Sequence, residues 1–216
     1  MARYYPILLD LNDRLCLVVG GGSVAARKAG GLLEAGARVR LVSPEIAPSL
    51  RELAEQDRLD YRAEVYCKAH LVGASLVFAA TNVRTVNAQV ALDAEEARIP
   101  ATVADAPDEG SFVVPAIVRR GQFCLAVSTG GSSPMLAARV AEKLERQFGP
   151  EYGGYVELLG VVRDTIKEWT NDSKARRAAL VAVLNQESEL LAHLAAAQPD
   201  AARELAISAA LRALSK

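Results

Sequence analysis

Up to about residue 105, short uncharged apolar runs alternate with stretches whose apolar residues recur at helical spacing. Leu15 to Val19 is the first run, rich in Val and Leu as a buried strand requires. Val24 to Leu33 then reads as a helix, and Gly36 stands where a C-terminal cap belongs. A second strand, Val39 to Ser43, stops at Pro44, and Glu45 to Asp57 has a helical pattern. The phrase "LDYRAEV" supplies a short strand, and Leu76 to Ala80 a fourth that ends at Thr81-Asn82. Val83 to Arg98 follows as a helix with Val86, Val90 and Ala94 on one face. "IPATVADAP" is a fifth strand, ending near Val103 to Asp105. Such alternation predicts a parallel sheet covered on both faces. Ligands of these sheets bind beyond the carboxyl ends of the strands. Gly20 to Ser23, Ser43, Thr81, Asn82 and Asp105 are therefore expected to converge on one crevice.

Beyond that point the pattern changes. "SFVVPAIVRRGQFCLAVSTGG" reads as two extended segments joined at Arg119-Arg120-Gly121. A helix from Met135 to Phe148 follows, with Ser133 as cap and Pro134 at the first helical position. From Tyr152 to Ser215 the chain is helix after helix, with breaks at Asn171-Asp172, Asn185 and Gln198-Pro199. The expectation is an α/β parallel-sheet domain over 1–113, a small α+β segment over 114–150 and a helical domain over 151–216.

The link between the first strand and the first helix carries the densest chemical signal. Gly20, Gly22 and Ala25 fit G-x-G-x-x-G/A inside a strand–turn–helix–strand unit of about thirty residues. Gly20 suits a tight turn, Gly22 lets a pyrophosphate approach without meeting a Cβ, and Ala25 keeps helix and sheet close. Backbone N–H groups near Ser23 and Val24 would hold the phosphates. An acid usually stands at the end of the second strand to hold the ribose hydroxyls. Here the place is taken by Ser43, Pro44 and Glu45. Ser43 can hydrogen-bond a ribose without offering charge. Glu45 can substitute for the usual acid, or it can begin the next helix. The preference for NAD over NADP is weakly marked.

Composition narrows the classes. The chain has 216 residues, 51% of them hydrophobic, enough for a full core and against disorder. A formal net charge of −1 does not favour a nucleic-acid surface. No apolar run reaches membrane-spanning length, and "MARYYPILLDLNDR" lacks the architecture of a signal peptide, so a cytoplasmic protein is expected. Cys16 and Cys124 lie in apolar runs and read as core residues, whereas Cys67 sits in a polar stretch. Neither the cysteines nor His70 and His193 have metal-ligand spacing.

Four phrases together resemble one family. "LLDLNDRLCLVVGGGSVAARKAGGLLEAGARVRLVSPE", "VFAATNVRTVNAQV", "TVADAPDEGSFVVPAIVRRG" and "LAVSTGGSSPMLAARVAEKLE" are similar to the precorrin-2 dehydrogenases of siroheme synthesis. The resemblance implies a Rossmann domain, a central dimerisation segment, a helical C-terminal region and an intertwined homodimer. It implies NAD-dependent oxidation of precorrin-2 to sirohydrochlorin. Some members also insert iron to give siroheme, while others leave that step to a separate chelatase, so ferrous or cobaltous ion as a chelatase substrate stays an open alternative here. The aspartate of the family's "DAP" motif falls on Asp105, and Thr102 stands where Asn is common.

The residues support a matching chemistry. Oxidation of a reduced tetrapyrrole by NAD sends a hydride from carbon and a proton from the macrocycle. A carboxylate beside the nicotinamide can take that proton. Asp105 is flanked by Val103, Ala104, Ala106 and Pro107; Asp108 and Glu109 are its rivals, and a turn role is its alternative. A polycarboxylate substrate calls for cations, for which Arg119, Arg120 and Arg139 are candidates. Ser128, Thr129, Gly130, Gly131 and Ser132 form a donor-rich loop before a helix start, suited to anions or to plain connection. The competing class is an NAD(H)-responsive binding or regulatory protein without turnover.

Overall fold

The computed structural model describes residues 4–215; residues 1–3 and 216, at the ends of the expected domains, lie outside the described residues. The chain divides into two compact units, Met1–Val114 and Pro115–Lys216.

The first unit holds five parallel strands in the order β3-β2-β1-β4-β5: β1 (Leu15–Val19), β2 (Arg38–Val42), β3 (Asp60–Arg62), β4 (Leu76–Ala79) and β5 (Ala101–Val103). Three of the four connections carry an α-helix, α1 (Ser23–Glu34), α2 (Pro48–Glu55) and α3 (Arg84–Glu96), while β3 reaches β4 through a short 3-10 turn at Lys68–Leu71. Because side chains alternate across a strand, β1 divides its residues between two cores. Cys16 and Val18 pack with Ala25, Ala29 and Leu32 of α1 and Leu50 of α2. Leu17 and Val19 pack on the other face with Val90 and Ala94 of α3. A strand buried on both faces cannot carry charge, which is why "LCLVV" is so plain a signal. Burial pushes the Cys16 thiol up to about 11.

Helix α2 starts three residues later than the expected Glu45. Ala47 is extended (φ −62°, ψ 154°), as the residue before a proline prefers, and Pro48 opens the helix. The Ala47 N–H donates to the Gly21 carbonyl at 2.8 Å, so residues 43–47 serve the glycine turn rather than the helix. At the other edge, Ser111 clips β5. Its backbone N–H donates to the Ala101 carbonyl (2.8 Å), and its Oγ accepts the Ala101 N–H (3.0 Å). A Cβ on Gly110 would stand 2.9 Å from that same carbonyl, so the clip needs glycine there.

In the second unit, β6 (Ala116–Arg120) and β7 (Phe123–Val127) form an antiparallel hairpin, followed by α4 (Pro134–Gln147). Gly121, at φ 56°, takes the turn. The expected junction at Arg119-Arg120-Gly121 is corrected accordingly: both arginines stay in the ladder, opposite Cys124 and Phe123. Helices α5 (Glu151–Trp169), α6 (Ser173–Leu184), α7 (Glu187–Ala195) and α8 (Pro199–Leu214) follow. Tyr155, Leu158, Val162 and Ile166 give α5 one apolar stripe, which meets Ala179, Val183, Leu190 and the alanines 202, 206, 209 and 210. Among the described residues no helix is long and apolar enough to cross a membrane.

Candidate active site

Three glycines close β1 onto α1, and each has a different reason. Gly20 has φ 126°, and a Cβ there would collide with the Ala80 carbonyl at the end of β4. A Cβ on Gly21 would collide with the Glu45 carbonyl and stand 2.8 Å from Ser43 Oγ. A Cβ on Gly22 would meet nothing within 4 Å, so the fold itself does not need glycine at that place. Gly22 keeps space open directly before α1. It is also the N-cap residue, and no side chain caps that helix. An uncapped helix start beside open space can seat an anion, and Ser23 and Val24 are exposed in its first turn. The seat fits a dinucleotide's pyrophosphate.

The strand ends meet through these contacts. Ser43, expected to reach a ribose, is only 9% exposed, and its hydroxyl donates to the Glu45 carbonyl at 2.7 Å. Its one proton is thus spent on the turn, while Pro44 and the Glu45 side chain are exposed. Thr81 is likewise turned inward: its hydroxyl lies 2.7 Å from Asn87 Oδ1 and accepts the Val83 N–H at 3.1 Å. Asn82 beside it is exposed.

Asp105 follows β5 with its side chain 40% exposed. Asn87 Nδ2 of α3 donates to its Oδ1 at 2.8 Å, and Arg84 Nε stands 3.9 Å from its Oδ2. The Arg84 guanidinium also pairs with Glu109, so this rival carboxylate already has a partner. Asp108 is exposed in the short turn Pro107–Glu109. A chain of contacts therefore runs from Glu45 through Gly21 and Gly20 to Ala80 and Thr81, then through Asn87 to Asp105. Arg84 and Asn87 are not among the sequence candidates. The signal for Asn87 is a polar residue on the same helical face as Val90 and Ala94.

The remaining candidates belong to the second unit. Arg120 Nε donates to the Phe148 carbonyl (3.2 Å), and its guanidinium meets the Glu145 carbonyl and carboxylate at 3.3 Å. With a side chain 20% exposed, Arg120 fastens the end of α4 to the hairpin. Arg119 and Arg139 are exposed. In the loop, Ser128 Oγ accepts the Gly130 N–H (3.1 Å) and Thr129 Oγ1 accepts the Ser133 N–H (3.0 Å). Gly130 and Gly131 take φ of 62° and 89°, and Ser132 is exposed. Among the described residues no group of three or more His, Cys, Asp or Glu side chains could hold a metal ion.

Sheet order, glycine turn and open helix start define a dinucleotide-binding domain of the Rossmann type. A family model described as "Putative NAD(P)-binding" matches residues 7–116, and the chain belongs to that family. A second model, "Sirohaem biosynthesis protein central", matches residues 125–147. The chain is similar to the siroheme synthase of Nitrosospira multiformis, 41% identical over 179 residues, covering 81% of this chain and 38% of the relative. It is also similar to siroheme synthase 1 of Aeromonas salmonicida, 43% identical over 164 residues, covering 76% and 35% respectively. The chain thus spans little more than a third of the length of these curated relatives. Among solved structures, one titled "SirC, precorrin-2 dehydrogenase" superposes with a TM-score of 0.73 at 26% identity, covering 94% of this chain and 98% of the other.

Proposed function

We propose that the protein oxidises precorrin-2 to sirohydrochlorin with NAD as hydride acceptor, in siroheme synthesis. The observation that carries this reading is the run of contacts linking an open, uncapped glycine turn to a half-exposed carboxylate across four neighbouring strand ends. Likeness to siroheme synthases and to a precorrin-2 dehydrogenase supports the substrate.

The helix start after Gly22 would hold the pyrophosphate with the Ser23 and Val24 N–H groups, and the exposed Glu45 carboxylate at the end of β2 would meet the ribose hydroxyls. Asn82, at the end of β4, lines the cofactor's path. Bound there, NAD would supply the hydride acceptor. The Asp105 carboxylate takes the proton that leaves the macrocycle, so one C–H pair of electrons and one proton are accounted for. Arg119 and Arg139, together with the Ser128–Ser132 loop, receive substrate carboxylates. The chain works as a homodimer: the hairpin and α4 expose Ile117, Met135 and Leu136, and a second copy is the proposed cover for them.

Anaerobic incubation with precorrin-2 and NAD, followed by absorbance, should show sirohydrochlorin and one NADH per turnover. Absence of turnover in an unaltered protein that still binds NAD would favour the regulatory class. Asp105→Asn should fold and bind NAD normally yet turn over roughly a hundredfold more slowly or worse, as loss of a general base does. Asp108→Asn should keep most of its activity; a loss confined to Asp108 would move the base there. Light scattering at micromolar concentration should give about twice the 23.0 kDa chain mass, and a stable monomer would refute the dimer.

A further inference from the structure

The geometry points to Asn87 as the residue that positions the Asp105 carboxylate and ties its orientation to the end of β4. This rests on the dehydrogenase reading above. Asn87 is fully buried on α3, where an unsatisfied amide would be costly. Its Oδ1 accepts the Thr81 N–H at 3.1 Å and the Thr81 hydroxyl at 2.7 Å. Its Nδ2 donates to the Thr81 carbonyl at 3.0 Å and to Asp105 Oδ1 at 2.8 Å.

A carboxamide offers two donors and two acceptor positions, and all of them are in use. The partners also dictate which end of the amide is which. Turned over, Oδ1 would face the Asp105 carboxylate and Nδ2 would face the Thr81 N–H, so no alternative orientation is satisfied. A residue that merely closed the β4–α3 turn would need only the three bonds to Thr81. The fourth runs to a carboxylate that water could otherwise solvate, since Asp105 is 40% exposed. An exposed carboxylate samples several rotamers; one held by a rigid, buried donor does not. With Oδ1 fixed, Oδ2 is the oxygen left to take a proton, and Arg84 Nε stands 3.9 Å from it. Asn87 is thus a positioning residue that acts through Asp105 and touches neither substrate nor cofactor.

The full chain serves for the test, with folding checked by thermal melting and NAD binding by calorimetry. Asn87→Asp keeps an oxygen for the Thr81 N–H while exchanging the donor that holds Asp105. Two carboxylates at that distance share one proton. The variant should therefore bind NAD as before, lose roughly tenfold to a hundredfold in kcat, and keep KM for precorrin-2 within about twofold. The acid limb of its kcat profile should move up by about one pH unit or more, which a purely structural lesion would not produce. Asn87→Ala should lose a similar factor, and combined with Asp105→Asn it should be no slower than Asp105→Asn alone. Where the alanine variant does not fold, the aspartate variant carries the same test. Unchanged kcat and an unmoved profile in Asn87→Asp, or additive losses in the double variant, overturn the assignment. In either case a slow Asp105→Asn leaves the dehydrogenase reading standing, whereas an inert unaltered protein sinks that reading first.

Discussion

The protein carries two glycine-rich loops that each run into a helix, Gly20–Gly22 before α1 and Ser128–Ser133 before α4, and they are built on opposite principles. In the first, Gly20 and Gly21 are required by backbone carbonyls pressed against them, while Gly22 faces open space. In the second, a Cβ on Gly130 or Gly131 would meet nothing within 4 Å, and the glycines serve left-handed backbone angles instead. The helix starts differ in the same way. Ser133 Oγ accepts the Leu136 N–H at 3.3 Å and so spends part of the anion-binding capacity of α4 on the protein itself. No side chain does this for α1. A Gly-Ser-rich phrase before a helix is therefore two different devices. What separates them is whether the helix start is already occupied and what crowds the glycines.

The largest effect that tests this contrast should come from Gly22→Asp. It puts a side chain and a negative charge into the open seat, and NAD should bind at least about a hundredfold more weakly, about 2.7 kcal/mol, with melting little changed. Unchanged affinity by calorimetry would remove the seat from α1. Next comes Gly21→Ala, whose methyl must push the Glu45 carbonyl aside. Chemical denaturation should show a loss of about 1–3 kcal/mol, and a neutral result would mean that this close approach relaxes without effort. Smallest is Ser133→Ala, with about 1 kcal/mol of stability lost and NAD affinity intact. A drop in NAD affinity in that variant would erase the distinction between the two loops.

Much of the fold can be read from local chemistry. Strand β1 is plain because burial on both faces excludes charge, and the helical breaks are plain because they are made of caps. Asp172 Oδ1 accepts the Lys174 N–H at 2.9 Å to start α6, and Pro199 occupies the first turn of α8. The start of α2 is misleading in the sequence because Glu45 looks like a helix-opening acid, whereas the Ala47–Gly21 bond and Pro48 decide the boundary. The site is legible only in part, for a related reason. Gly20, Gly22 and Asp105 carry local signatures. Asn87 matters through Thr81 and Asp105, six positions before it and eighteen after it, and no periodicity reports such a meeting. Arg120 looks like a hairpin-tip cation because its partners, Glu145 and Phe148, lie far along the chain.

The Ser111 clip on β5 gives the segment after Asp105 a second duty. Strand β5 is an outer strand of its sheet, and the Ala101 N–H and carbonyl are two of the groups it would otherwise present to any passing extended chain. Ser111 answers both from within the same molecule, and Gly110 lets it come close enough to do so. The stretch that delivers the carboxylate therefore also guards the protein against joining its neighbours strand to strand. Damage to Gly110 or Ser111 would first be felt in the test tube as turbidity and lost yield, with the surviving soluble fraction still carrying an intact Asp105.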